Sequence, residues 1–491
     1  MTHQDPILSA FERIVRHDPL APLVVSPERR ATVGDVDALA RAAGGVLGDG
    51  TRADGSLAPG SVVGLAAANG PGFLAAVVAL RRAGLTVLLL DARIPESEAL
   101  RILGPLGAPA LLRCPDGWPA GPRDWTLTSL NTIATGAAPP ATGFIKLTSG
   151  STGTPRGIAT SSEALMADDA ALTASMGLRP GDRFLATIPL SHSYGLSSLA
   201  VPALVRGSLL VIPEELSLYD PFVTAAHLGA TFYPAVPAYL DALVRMSDPP
   251  PRPDCLRLVI TAGAPLAAAT SACFRDRFGL SIHVFYGSSE CGGICYDREG
   301  GAAERGTVGS PVEGVRVTLE PVAGKVGRPD TNGCEGLGPP GIVTVESPAV
   351  SLGYLPEPDE RLAEGRFRAG DLASWRDGEL VLRGRLDDVV NIKGKKVDPR
   401  EVECVLAGLA GVDEAAVLGV SCAGRSGELL RAVVACRPGR LTAEDVVAWC
   451  RCHLSAHKVP RSVILVDVLP RNARGKLDRS ALAAPGIESR G

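Results

Sequence analysis

The chain has 491 residues, 46% hydrophobic and 21% charged, with a formal net charge of −4. That balance suits a soluble globular protein of roughly two to four domains or subdomains. It gives no general attraction to nucleic acid or acidic membranes. Apolar runs such as residues 74–80 and 85–90 are separated by Arg81 and Arg82, and neither reaches the ~20 residues a membrane span needs.

The opening residues Met1-Thr2-His3-Gln4-Asp5 lack a basic and then apolar leader, so no secretory signal is expected. The 11 cysteines are odd in number and scattered. They suit free thiols in a reducing cytoplasm better than a disulfide framework. Cys450, Cys452, His453 and His457 lie close together, but without a CxxC or a second ligand pair they read as one face of an ordinary helix.

In chain order, residues 35–48 carry small apolar residues at helical spacing. Residues 62–66 read as a buried strand, 73–83 as a helix and 86–91 as a second buried strand. This strand–helix–strand rhythm predicts a parallel sheet and an α/β architecture. Further strands are predicted over 183–189, 231–233, 258–263 and 281–287, with a helix over 224–228. From about 306 to 385 the segments 315–319, 342–345 and 380–382 alternate between Gly- and Pro-rich turns, which suggests an antiparallel or barrel-like subdomain. Beyond Arg385 the order is helix 399–409, strand 415–420, strand 429–436, helix 442–454 and strand 462–466, a compact α+β unit.

The segment Thr148-Ser149-Gly150-Ser151-Thr152-Gly153-Thr154-Pro155-Arg156-Gly157 follows the apolar run 144–147. Its glycines allow close backbone approach to a ligand. Its hydroxyls and N–H groups can donate to phosphate oxygens, and Arg156 adds a fixed charge. Read alone, it is either a polar linker or a loop that grips a polyphosphate. It is not a Walker A loop, because no GxxxxGKS or GxxxxGKT is present.

Further motifs follow in order: Pro189-Leu190-Ser191-His192-Ser193-Tyr194-Gly195-Leu196, Thr261-Ala262-Gly263-Ala264-Pro265-Leu266, Tyr286-Gly287-Ser288-Ser289-Glu290, Phe367-Arg368-Ala369-Gly370-Asp371, Gly384-Arg385-Leu386-Asp387-Asp388, Asn391-Ile392-Lys393-Gly394-Lys395 and Arg471-Asn472-Ala473-Arg474-Gly475-Lys476. With the hydroxyl-rich loop, this set resembles the adenylate-forming superfamily of acyl- and aryl-CoA synthetases, amino-acid adenylation domains and luciferase-type enzymes. The resemblance spans roughly residues 30–480.

The resemblance implies roles for these residues. Thr148, Ser149, Gly150, Ser151, Thr152, Gly153 and Arg156 would bind ATP's phosphates, with Arg156 standing where the family usually has lysine. His192 would lie against the substrate carboxylate. The amino-acid-activating members' aspartate has no counterpart near it, so the pattern resembles acyl and aryl ligases more closely. Gly263, Ala264 and Pro265 would underlie the adenine, and Tyr286 would stack on it beside Gly287 and Ser288. Ser289 would reach the phosphate, and Glu290 would hold Mg²⁺, a hard cation that takes oxygen ligands. Asp371 and Arg385 would hold the ribose and nucleotide, and Asp387 would be a hinge. Gly394 would line the CoA tunnel, and Lys476 would be the mobile catalytic lysine.

The implied fold is α/β. A large N-terminal domain, residues 1–384, would combine doubly wound α/β subdomains with a β-barrel-like subdomain at about 306–384. A hinge at 385–388 would lead to a small mobile α+β domain at 389–491. The implied function is ATP- and Mg²⁺-dependent activation of a carboxylic acid, aryl or fatty, to acyl-AMP, followed by transfer to CoA. Two alternatives stay open: loading of a carrier protein's phosphopantetheine, and a non-catalytic nucleotide or acyl-AMP binder. The acid pocket is expected among His192, Tyr194, 234–237, Gly263 and 291–294, where Gly292 and Gly293 would leave room for an aryl ring or alkyl chain. A cytoplasmic monomer or homodimer is expected, without a nucleic-acid partner or a membrane span.

Overall fold

The computed structural model describes residues 5–50, 57–130, 138–148, 156–215, 217–322, 337–385, 390–392, 395–397, 399–421, 428–454, 458–471 and 477–483. The chain divides into two compact units, residues 1–317 with 345–367 and residues 318–344 with 368–491.

The first unit contains two large sheets. A seven-stranded sheet runs in the order Gly353–Leu355, Arg156–Thr160, Phe144–Thr148, Thr86–Leu90, Val62–Ala67, Ala110–Cys114, Thr126–Ser129. Its four central strands are parallel. Every residue of Val62–Ala67 and Thr86–Leu90 is buried, the signature of strands covered on both faces. The helix Pro71–Arg82 connects them, as the sequence rhythm predicts, with Pro71 in its first turn where the missing N–H costs nothing.

The nine-stranded sheet has the order Ser310–Pro311, Gly292–Tyr296, Ile282–Ser288, Leu258–Thr261, Phe232–Ala235, Arg183–Leu185, Leu209–Val211, Pro22–Val25, Arg30–Thr32. It is parallel from Ile282–Ser288 through to Pro22–Val25, with antiparallel strands at both edges. A core including Phe222, Tyr233, Phe274 and Ile282 packs beside it. The strand predicted over 183–189 stops at Leu185. Past it, the Asn69 amide takes over the backbone. It donates to the carbonyls of Ala186 and Ile188 at 3.1 and 2.9 Å and accepts from the Leu190 N–H at 2.9 Å.

In the second unit the strand Arg366–Arg376, which begins in the first unit, pairs antiparallel with Glu379–Arg385. The rest is the predicted α+β rhythm: helix Pro399–Ala407, strands Val412–Ser421 and Glu428–Cys436, helix Ala443–His453 and strand Ser462–Val466. Strand Glu428–Cys436 is central, antiparallel to the first of these strands and parallel to the last. Thr442 and Asp445 form a reciprocal capping box that starts the second helix. A separate core includes Val402, Leu406, Val417, Leu430 and Val446. Among the described residues no helix is long and apolar enough to cross a membrane.

Candidate active site

Three of the sequence motifs lie at the carboxyl ends of parallel strands of the first unit, where open α/β sheets take their ligands. Thr148 ends the strand Phe144–Thr148, Gly263 follows Leu258–Thr261, and Tyr286-Gly287-Ser288 closes Ile282–Ser288. Gly263 has φ +87, which favours glycine, and an added Cβ there would meet nothing within 4 Å. Ala264 and Pro265 beside it are exposed. This is a flat, open backbone surface.

Glu290 is the node that joins motifs far apart in sequence. Its backbone N–H donates to the Ser288 hydroxyl at 3.1 Å, and that hydroxyl in turn contacts the Glu290 carboxylate. Its carbonyl accepts from the Ser351 N–H at 2.8 Å, and the Ser351 hydroxyl pairs with that of Thr160 at 2.9 Å. The Tyr354 hydroxyl donates to Oε1 at 2.9 Å. Burial and the neighbouring Glu290 charge push the Tyr354 phenol well above its ordinary value, so it stays a donor. Next to Glu290, the Ser193 hydroxyl donates to Ser289 at 2.8 Å, which brings the His192 segment against the Tyr286–Glu290 segment. His192 caps a short helical turn at Ser193–Gly195 that runs into a π-helical turn at Leu196–Ala200. Such turns recur at functional sites.

Arg156 stands opposite Thr148 in the ladder. Its guanidinium donates to the Asp359 carboxylate at 3.0 Å and the Glu357 carbonyl at 3.1 Å, and it lies 4.1 Å from the centre of the Tyr354 ring. Arg361 also grips Asp359. These cations and hydrogen bonds, Arg361's first, hold the Asp359 carboxyl well below the usual range. The stabilisation from this lowered carboxyl is therefore fully present above its ordinary value of 3.8 and is lost only as pH falls through the lower folded value.

A buried polar group lies behind the turn. Lys146 and Asp168 are both below 4% exposed. Burial pushes the lysine down and the aspartate up, each opposed by the charge of the other. Asp168 Oδ1 accepts the Gly293 N–H at 2.9 Å, while among the described residues Oδ2 has no hydrogen-bond partner within ordinary geometry. This overturns one expectation. Gly292 and Gly293 do not leave room for an acid: a Cβ on Gly292 would sit 2.3 Å from the Asp168 carboxylate, and one on Gly293 would sit 2.7 Å from Leu172. Gly292 also has φ +70. Gly292→Ala is therefore expected to cost about 2–5 kcal/mol, the sum of a left-handed residue and an overpacked site. Its denaturation midpoint would fall, and an unchanged midpoint would contradict this packing.

The apolar space lies elsewhere. A cavity of about 180 Å³ is lined by Pro189, Pro221, Tyr233, Val236 and Tyr239 among others. Tyr194 packs against Phe285 with ring centres 5.9 Å apart, and its hydroxyl is buried.

In the second unit Asp371 and Arg385 face each other across the hairpin, with 3.6 Å between carboxylate and guanidinium. Ser149 to Gly153, Asp387, Gly394 and Lys476 lie outside the described residues. Sequence reasoning missed Tyr354, Ser351, Asn69, Lys146, Asp168 and Asp359. Lys146 carried a visible signal, a lone charge inside the apolar run 144–147.

The donor set at Glu290, one carboxylate among hydroxyls, is of the oxygen type a hard divalent cation takes. Among the described residues no cluster of three His, Cys, Asp or Glu side chains forms a self-sufficient metal cage.

A family profile described as AMP-binding enzyme matches residues 11–355, and its C-terminal domain profile matches residues 401–476. A methyl-dioxo-octahydro-indenyl propanoyl:CoA ligase of Mycobacterium tuberculosis is 30% identical over 97% of this chain and 98% of its own. The feruloyl-CoA synthase of an Amycolatopsis species is 30% identical over 88% of this chain and 90% of its own. The o-succinylbenzoate CoA synthetase from Bacillus subtilis, solved in complex with ATP and magnesium ion, shares the fold. Its TM-score is 0.78 at 23% identity, covering 96% of this chain and 98% of that one.

Proposed function

The chain belongs to the AMP-binding enzyme family, and from that premise we propose that it is an AMP-forming acid–CoA ligase. The observation that carries this reading is the convergence at Glu290 of segments distant in sequence: the Ser193 turn, the Tyr286–Glu290 strand end and, through Tyr354, the exit of the phosphate loop at Arg156. The relatives named above are CoA ligases and synthetases, which favours CoA over a carrier protein as acceptor.

In the first half-reaction a carboxylate attacks the α-phosphorus of ATP, forming acyl-AMP and releasing pyrophosphate. Two anions must meet, so fixed dipoles and cations in the site carry most of the catalysis. Thr148, Ser149 to Gly153 and Ser289 bind the phosphates, Gly263, Ala264, Pro265, Tyr286, Gly287 and Ser288 bound the adenine, and Asp371 and Arg385 hold the ribose and nucleotide. His192 orients the substrate carboxylate. Glu290 holds Mg²⁺, which when bound neutralises phosphate charge. The cavity behind Pro189 and Val236 is apolar, which supports an acid with a hydrophobic body, aryl or fatty.

In the second half-reaction the CoA thiol attacks the mixed anhydride, forming the thioester and releasing AMP. We place the hinge at 385–388, between an N-terminal domain at 1–384 and a mobile C-terminal domain at 389–491 that brings Gly394 toward the thiol. Fixing the hinge with Asp387→Pro is expected to slow thioester formation far more than pyrophosphate release, because only the second step requires the rotation. Equal slowing of both, in single-turnover assays, would remove Asp387 from that role.

The test of the whole reading is pyrophosphate release over a panel of aryl, fatty and amino acids, with and without CoA. Turnover of aryl or fatty acids with CoA is expected. No turnover of any acid would leave a nucleotide-binding protein, and thioester formation only on a carrier protein would replace CoA as the acceptor.

A further inference from the structure

Arg156 carries out a task that a lysine at its position would not. Its planar fork makes two directed hydrogen bonds, at 3.0 Å to Asp359 and 3.1 Å to the Glu357 carbonyl, while its Cζ lies over the Tyr354 ring, 4.1 Å from the ring centre. A lysine ammonium is a compact, strongly hydrated charge without that planar fork of donors. The ladder sets up this contact. Leu355 pairs with Gly157 and Tyr354 with Ile158, so Tyr354 rides beside the exit of the phosphate loop. Asp359 is pinned on its other side by Arg361, which gives the guanidinium a fixed anchor. Tyr354 is 8% exposed, and its hydroxyl is committed to Glu290 at 2.9 Å.

From this chain of contacts we infer that Arg156 and Tyr354 are positioning residues for the Glu290 carboxylate: the cation of the phosphate loop orders the metal-binding group instead of binding phosphate itself. The inference rests on the proposed role of Glu290 toward Mg²⁺. Arg156 holds the Tyr354 ring in place by stacking. The ring aims its hydroxyl at Oε1, and that bond, with the Ser288 hydroxyl on Oε2, fixes the rotation of the carboxylate, whose remaining lone pairs are then presented to a cation in one orientation.

Calorimetric titration with ATP, in Mg²⁺ and separately in EDTA, tests this on the full-length chain. Tyr354→Phe keeps the ring and its stack and removes only the hydroxyl. It is expected to weaken MgATP binding about tenfold, the scale of one hydrogen bond to a charged group. Metal-free ATP binding should be unchanged, and the Mg²⁺ concentration for half-maximal pyrophosphate release should rise. Arg156→Lys should show the same metal-dependent pattern at smaller amplitude. The double variant should be no weaker than Tyr354→Phe alone, because both act through one path.

If Arg156→Lys weakens ATP binding equally in EDTA, Arg156 is a direct phosphate ligand and the inference is overturned. Unchanged MgATP binding by Tyr354→Phe overturns it as well. Glu290→Gln separates the two levels. Wild-type Mg²⁺ dependence in that variant would refute the metal role of Glu290 itself, whatever Tyr354 does.

Discussion

Glu290→Gln is expected to lower ATP-dependent pyrophosphate release by roughly 10²–10³-fold, the usual scale for losing one preorganised electrostatic partner of a transition state. The substitution keeps side-chain size and an oxygen that can still accept from the Tyr354 hydroxyl, now 2.9 Å away. The backbone bond from the Ser351 N–H to the Glu290 carbonyl does not involve the side chain, so the turn should persist. What disappears is the negative charge proposed to draw a divalent cation to the triphosphate. The loss should therefore appear in MgATP binding and in the rate of the first half-reaction, with thermal stability close to wild type. Wild-type rates at saturating Mg²⁺ would show that another group holds the cation.

Lys476→Ala is expected to be as severe but confined to one step. In the proposed mechanism the Lys476 ammonium bridges the substrate carboxylate and the α-phosphate while the C-terminal domain is in the adenylating position. Removing it should cut acyl-AMP formation by roughly 10²–10³-fold. Thioester formation from supplied acyl-AMP and CoA should proceed near the wild-type rate, since in the proposed mechanism that step follows a rotation that withdraws the lysine. The two half-reactions can be assayed separately, by pyrophosphate release and by thioester absorbance. Equal loss of both would mean that Lys476 supports the fold or the shared substrate site.

Much of the fold was legible because its signals are local. A buried strand of a parallel sheet is a short continuous apolar run, and Val62–Ala67 and Thr86–Leu90 read that way. The helix and strands of the C-terminal unit fall within a few residues of their expected bounds for the same reason, with Thr442 and Asp445 marking one helix start. The ordered motifs, which resemble the family's with departures such as Arg156 in place of lysine, pointed to the same chemistry as the profile matches.

The space around residues was not legible. Gly292 and Gly293 look in sequence like room for a substrate, yet Asp168, 125 residues away from Gly293, fills it. Composition reports that a side chain is missing, and only packing reports what occupies its place. Arg156 likewise shows in sequence only a fixed charge, and the fold adds that Asp359, 203 residues further on, engages its fork. Tyr354 is 64 residues from Glu290, in a segment whose own pattern marks only a short strand.

By itself the sequence determined the chain's strands, its family and the residue types available to phosphate, carboxylate and cation, since each depends on neighbours within a few positions. The tertiary structure alone decided which of those groups are already engaged. It set the Ser193–Ser289 and Tyr354–Glu290 contacts, the burial of Lys146 with Asp168, and the attachment of Arg156 to Asp359. Hydroxyls and charges carry no periodicity of their own, and their partners are chosen by strand order and register, which bring together residues that the chain keeps far apart.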